Sequence, residues 1–305
     1  MASVERLADV RHTREADLAA SLPGAEVLFL WDFWSDAVPS AWPHADSLRW
    51  VHIASAGVDR LLFPELVASD VLVTNSRGVF DEPIAEYVLG LVLCFAKDLH
   101  TTLRLQAEHR WRHRETERVA GARALVVGTG PIGRAIGRRL AAVGMAVSGI
   151  GRTGRTGDPD LGHVRPFEEL HEALAEADHV VLAAPLTDLT RDMIDSAALA
   201  RMRTTARLIN VGRGQLVVEK DLVRALAGGR IAGAALDVFA TEPLTESSPL
   251  WEMPNVIVSP HMSGDAAGWH DRLVELFADN LARYRDGRAL RNVVDKQLGY
   301  VAGGT

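Results

Sequence analysis

From residue 122 onward, short apolar runs alternate with stretches whose apolar residues recur every three or four positions. The runs are ALVVG (124–128), AVSGI (146–150), HVVLAA (179–184), RLINVG (207–212), GAALDV (233–238) and VIVSP (256–260). They are continuous rather than alternating, which predicts strands buried on both faces of a parallel sheet. PIGRAIGRRLAAVG after the first run and EKDLVRALAGG after the fourth have the amphipathic spacing of covering helices. Six such units predict a doubly wound, nucleotide-binding α/β sheet.

The N-terminal part carries a weaker version of this pattern. AEVLFLW (25–31), LRWVHIAS (48–55) and VLVTNS (71–76) predict the strands of a smaller α/β domain. Residues 83–111 then predict one long helix, with Ala85, Val88, Leu89, Val92, Ala96, Leu99 and Leu103 among its apolar positions. Near the end, DRLVELFADNLARYRDG (271–287) predicts another, with Leu273, Leu276, Phe277, Leu281 and Tyr284 on one face and Gly287 as its stop. LRNVVD (290–295) is expected to lead the chain back to the first domain.

Composition narrows the classes. A length of 305 residues suits about two domains. The net charge of −7 argues against a nucleic-acid partner, which needs a basic surface. The single cysteine, Cys94, cannot form an internal disulfide, and this fits a reducing cytoplasm. The N-terminus has early charges and no apolar core of a signal peptide. YVLGLVLCFA (87–96) is too short for a bilayer, which takes about 20 residues. No membrane partner and no metal site are expected.

Chemistry enters at GTGPIG, directly after the first run and opening a helix. Gly128 permits the tight turn, Gly130 lets backbone N–H groups approach a pyrophosphate, and Gly133 lets helix pack on strand. Pro131 and Ile132 lie in the first helical turn, whose N–H groups favour negative charge. A carboxylate about 20 residues further on would hold the ribose of NAD. That place holds Arg152, Thr153 and Arg155 instead, and the nearest acid downstream is Asp158. Guanidinium groups bind phosphate bidentately, so the loop points to the 2′-phosphate of NADPH, with NADH as the lesser cofactor.

LINVGRGQLVVEKDLVRALAGGRIAGAALDVFATEPL, PLWEMPNVIVSPHMSG and the earlier SAGVD together resemble the D-2-hydroxyacid dehydrogenase family. The similarity runs from about residue 48 and is strongest to the glyoxylate/hydroxypyruvate reductase branch. It implies a Rossmann-type cofactor domain at 99–282 and a smaller flavodoxin-like substrate domain from 1–98 with 283–305. It also implies a homodimer. The family's catalytic arginine, glutamate and histidine match Arg213, Glu242 and His261. His261 would donate a proton to the developing alkoxide, and Glu242 would hold the ring and favour its imidazolium form. Arg213 would polarise the carbonyl and orient the substrate carboxylate. Asp237 matches the aspartate near the nicotinamide carboxamide, with a buried structural role as the alternative. Pro185, Val211 and Gly212 would line the cofactor cleft. Ala56, Gly57 and Val58 would form a backbone nest for the substrate carboxylate.

The expected reaction is reduction of a small 2-keto acid, such as glyoxylate or hydroxypyruvate, to the D-2-hydroxy acid. Rivals on the same scaffold are a formate or phosphite dehydrogenase. The formate enzymes pair their histidine with glutamine, which Glu242 is not. A dinucleotide-sensing corepressor is the rival from another class. Trp31, Phe33, Trp34 and Trp42 read as packing of the small domain, with the lining of a pocket for a bulky 2-keto acid as the alternative, and Cys94 as an inert core thiol. HRWRHRE (109–115) reads as a solvated helix end anchored by Trp111. His52 and His100 have no assignable partner.

Overall fold

All six apolar runs after residue 122 become strands of one sheet in the computed structural model, which describes residues 1–302. The small sheet contains β1 (Val27–Leu30), β2 (Trp50–Ile53) and β3 (Leu72–Asn75). The large one contains β4 (Arg123–Val127), β5 (Ala146–Gly151), β6 (Arg155–Asp158), β7 (Gly162–Pro166), β8 (His179–Leu182), β9 (Arg207–Asn210), β10 (Gly233–Leu236) and β11 (Val256–Val258). Its order is β11-β10-β9-β8-β4-β5-β7-β6. Every neighbouring pair is parallel except β6–β7. The carboxyl ends of seven strands therefore share one edge, where doubly wound folds place their ligands.

The chain divides into two units, Met1–Phe80 with Ala266–Thr305, and Asp81–Asp265. These boundaries differ from the expected 98/99 and 282/283. Helix Asp81–Ala96 goes with the large sheet because it packs along helix Pro131–Ala142. Arg138 and Arg139 of that helix bond Glu82 at 3.0 and 2.8 Å. Helix Trp269–Arg285 goes wholly with the small sheet. Its Phe277 stacks on Phe29 and Trp50, with ring centroids 4.1 and 5.3 Å apart. Gly287, at φ +65°, follows its end, a backbone state that suits glycine. Beyond it Val294 donates to the carbonyl of Val73 at 2.8 Å, so LRNVVD lies beside β3.

Two expectations need correction. The helix over 83–111 is two helices, Asp81–Ala96 and Leu99–Ala107, broken at Asp98 with φ +50°. The break brings the following segment back, where the Glu117 N–H donates to Ala96 at 2.8 Å and the Lys97 ammonium to Glu117 O at 2.6 Å. HRWRHRE is accordingly not helical, and Trp111 is fully exposed rather than an anchor. The second concerns the six expected strands, to which the β6–β7 hairpin adds two without an apolar run of its own. The hairpin takes the place of a helix between β5 and β7.

In the small unit Trp42 and Phe33 pack against the core, whereas Trp31 and Trp34 stay 41 and 38% exposed. His52 is buried, with Nδ1 2.7 Å from Thr74 Oγ1 and Nε2 3.3 Å from Ser76 Oγ. Burial pushes its pKa down to about 3. His100 Nε2 lies 3.7 Å from Asp98 Oδ1. Burial pushes the Cys94 thiol up, which fits an unreactive residue. Among the described residues, no helix is long and apolar enough to cross a membrane.

Candidate active site

The glycine loop leaves the end of β4 and enters helix Pro131–Ala142, with Gly130 as its N-cap. Its three glycines are required for different reasons. A Cβ on Gly128, at φ +114°, would come within 2.6 Å of the Ala183 backbone. One on Gly133 would lie 1.9 Å from the Gly128 carbonyl oxygen. Protein packing alone demands both. Gly130 is unlike them, because a Cβ there meets nothing within 4 Å and its φ of −75° suits any residue. The protein thus leaves the space beside Gly130 open at the start of the helix, whose first turn contains Pro131 and Ile132.

The next strand ends carry the other sequence-picked residues. Arg152 and Thr153 directly follow β5 and are exposed. Arg155, which position alone offers to a phosphate, bonds Asp158 through Nε at 2.7 Å. Pro185 lies past β8 and is exposed, with its carbonyl accepting from Thr190 Oγ1 at 2.7 Å. Val211 and Gly212 follow β9, and Val211 donates to Leu182 O at 3.1 Å.

Arg213 sits in a turn braced by a residue that sequence reasoning passes over. Asn210, buried at the end of β9, accepts from the Gly212 N–H at 3.1 Å and donates to the Arg213 carbonyl at 2.9 Å. Arg213 Nη1 donates to Gly212 O at 2.8 Å. Gly214 then packs so closely that a Cβ would lie 1.8 Å from the Phe239 carbonyl carbon. This contact sets the arginine turn against the segment after β10, which carries Glu242. The only sequence signals were a polar residue ending an apolar strand and a glycine after the arginine.

Glu242 uses both carboxylate oxygens. Oε1 accepts from the Phe239 N–H at 2.8 Å, and Oε2 lies 2.9 Å from Nδ1 of His261. The first bond fixes the carboxylate, and the second orients the imidazole and occupies its Nδ1. His261 stands after β11 at φ +53°, in the left-handed region. Its turn is held by Asp237. The Asp237 carbonyl accepts from the His261 N–H at 2.8 Å. Its carboxylate accepts from Ser259 Oγ at 2.7 Å and from the N–H groups of Met262 and Ser263 at 3.0 and 2.9 Å.

Asp237, which the resemblance sets near the nicotinamide carboxamide, is thus fully buried with its oxygens engaged by the protein. A buried carboxylate needs such donors, and here they come from the histidine turn. In the small unit, the Ala56 carbonyl accepts from Asn75 Nδ2 at 2.5 Å. The Gly57 carbonyl accepts from Ser55 Oγ, also at 2.5 Å. No hydrogen bond to a protein acceptor is made by the N–H groups of Ala56, Gly57 and Val58 among the described residues.

Comparison with known proteins shows the family. Residues 89–263 match the NAD binding domain of the D-isomer specific 2-hydroxyacid dehydrogenases. The glyoxylate reductase of Korarchaeum cryptofilum is 33% identical over 262 residues, covering 83% of this chain and 78% of that protein. The NADPH-dependent glyoxylate/hydroxypyruvate reductase of Sinorhizobium meliloti, solved with NADP and sulfate, superimposes with a TM-score of 0.85. It is 29% identical, over 98% of this chain and 95% of that one. A D-isomer specific 2-hydroxyacid dehydrogenase of Xanthobacter autotrophicus, in complex with NADPH and MES, is 32% identical with a TM-score of 0.78. That match covers 96% of this chain and 98% of the other.

The two-unit α/β architecture and its glycine turn thus make the protein an NAD(P)-dependent oxidoreductase. It belongs to the D-isomer specific 2-hydroxyacid dehydrogenase family.

Proposed function

We propose that this enzyme reduces a small 2-keto acid, of the size of glyoxylate or hydroxypyruvate, to the D-2-hydroxy acid with NADPH as preferred cofactor. The observation that carries the reading is the bond between His261 Nδ1 and Glu242 Oε2 at 2.9 Å, past the carboxyl ends of neighbouring parallel strands. The nicotinamide, when bound, supplies the hydride. With Nδ1 engaged, Nε2 of His261 is the atom that gives the proton to the developing alkoxide. Glu242 keeps the ring in place through its bond to Nδ1.

Arg213 polarises the carbonyl and pairs with the substrate carboxylate. The N–H groups at Ala56, Gly57 and Val58 supply a second set of donors for that carboxylate. Gly128, Gly130 and Gly133 cradle the pyrophosphate with the turn at Pro131 and Ile132. Pro185, Val211 and Gly212 border the cofactor, while Asp237 acts through the turn that carries His261. Arg152, Thr153 and Arg155 take the 2′-phosphate, a reading supported by the absence of a ribose-binding acid at the end of β5 and by the NADP and NADPH complexes of similar proteins.

The test is a panel of 2-keto acids assayed with NADPH and NADH. Fastest turnover of glyoxylate or hydroxypyruvate with NADPH supports the reading. Turnover of phosphite or formate alone, or of no substrate, overturns it. A homodimer in the cytoplasm belongs to the same reading. Exposed Leu103 and Trp111 offer apolar surface for the partner, and a monomeric mass by light scattering would remove that element.

A further inference from the structure

Asp158 stands where the chain turns from β6 toward β7, and its side chain is only 2% exposed. Five hydrogen bonds converge on its carboxylate. Arg134 Nη1 reaches Oδ1 and Nη2 reaches Oδ2, both at 3.1 Å. Arg155 Nε reaches Oδ2 at 2.7 Å, and the N–H groups of Asp160 and Leu161 reach Oδ1 at 3.1 Å. Burial alone would raise its pKa, but these donors outweigh it and hold the carboxyl below the usual range. The group is therefore an ionised acid with its oxygens occupied, which is unlike a carboxylate awaiting a ribose.

Its two arginine partners connect different parts of the expected dinucleotide site. Arg134 lies four residues after Gly130, about one turn into the glycine-loop helix. Arg155 opens β6, just past the end of β5. Asp158 thus ties the pyrophosphate end of the site to the arginine loop. Arg155 gives it only Nε. Its Nη1 and Nη2 have no protein partner among the described residues, and its side chain is 36% exposed. An arginine held at Nε still has its terminal edge, a planar pair of donors suited to a phosphate.

We propose that Asp158 is a positioning residue for cofactor choice, holding Nε of Arg155 so that the terminal guanidinium edge serves the 2′-phosphate of NADPH. The proposal rests on the NADPH reading above. It differs from an ordinary surface ion pair in its division of labour, one edge of the arginine for the protein and one for the ligand. It also gives the acid nearest the arginine loop a part in binding phosphate, since Arg134, itself shared with Asp160 at 3.1 Å, and Arg155 both pair with Asp158.

The test measures dissociation constants of NADPH, NADH and adenosine 2′,5′-bisphosphate by calorimetry on the full chain. Wild type is compared with Arg155→Ala, Arg155→Lys and Asp158→Asn. All three variants are expected to weaken NADPH and the bisphosphate about tenfold, while NADH moves by no more than about twofold. Equal weakening of both cofactors by Asp158→Asn, or tighter NADPH, overturns the positioning role. If Asp158→Asn does not fold, Arg155→Lys decides, because a lysine lacks both the separate Nε–H and the planar terminal pair of donors that divide the arginine between carboxylate and phosphate. Undiminished NADPH affinity in Arg155→Lys overturns the division of labour. A wild type that binds NADH as tightly as NADPH overturns the underlying reading, whereas a preserved preference unmoved by Asp158→Asn overturns only the part given to Asp158.

Discussion

His261 and Glu242, nineteen residues apart in the chain, meet through Nδ1 and Oε2 at 2.9 Å because β10 and β11 are parallel neighbours. The contact engages Nδ1, and the proposed mechanism assigns proton transfer to Nε2. His261→Ala is expected to lower turnover by about two orders of magnitude or more, with NADPH affinity nearly intact. Steady-state kinetics and a binding titration check this, and unchanged turnover would remove the proton donor.

Glu242→Gln keeps the size of the side chain but removes its charge. Turnover should fall about tenfold or more, with a smaller change in KM, since the carboxylate that orients the proton-donating imidazole is replaced by a neutral amide. Full activity in this variant would leave Glu242 a purely steric brace.

The glycine loop allows stability to be separated from binding. Gly130→Ala should fold normally, with stability within about 1 kcal/mol of wild type, because the methyl meets no protein atom. Dinucleotide affinity should nevertheless fall. Gly133→Ala should lower the melting temperature itself, since its methyl would lie 1.9 Å from a carbonyl oxygen. Undisturbed cofactor binding in Gly130→Ala would refute a pyrophosphate at this helix end.

Arg152→Asp places a carboxylate directly after β5, where NAD-binding sheets carry one. NADPH should weaken by more than about tenfold, and NADH far less, from charge repulsion of the 2′-phosphate. Equal losses for both cofactors would sink the 2′-phosphate reading.

Acid should destabilise the protein through its buried histidines. The pKa of His52 is lowered from 6.5 to about 3 and that of His179 from 6.5 to about 4, both chiefly by burial. Below pH 6.5 the unfolded chain takes up protons that the folded chain refuses. The stability is thus fully present above that pH and is lost as pH falls toward the folded values, by up to about 1.4 kcal/mol per unit for each histidine. Urea unfolding at pH 7 and pH 5 should show the loss, and His52→Gln should reduce it. An identical pH dependence in that variant would exclude His52 as a source.

Contiguous residues encode much of this molecule. The six apolar runs after residue 122, the three small-sheet runs and the helix around Phe277 are periodic patterns, and each formed the element its period implied. The spacing of Gly128, Gly130 and Gly133 likewise carried its own meaning, because strand, turn and helix follow one another within a few residues. Arg213, Glu242 and His261 were legible as a set only through resemblance, since each alone is an ordinary residue past a strand.

What the sequence withheld depends on partners distant along the chain. The helix break at Asp98 is tied to a returning segment that bonds Ala96 and Lys97. Asn210 and Gly214 gained their roles when the Arg213 turn met the backbone of Phe239. The Asp237 carboxylate is engaged by the turn at residues 259–263, and Arg155 by Asp158. Period and spacing are local properties that one segment can specify alone. Which strand ends lie side by side, and so which donors meet which carboxylates, is fixed only when the sheet has assembled.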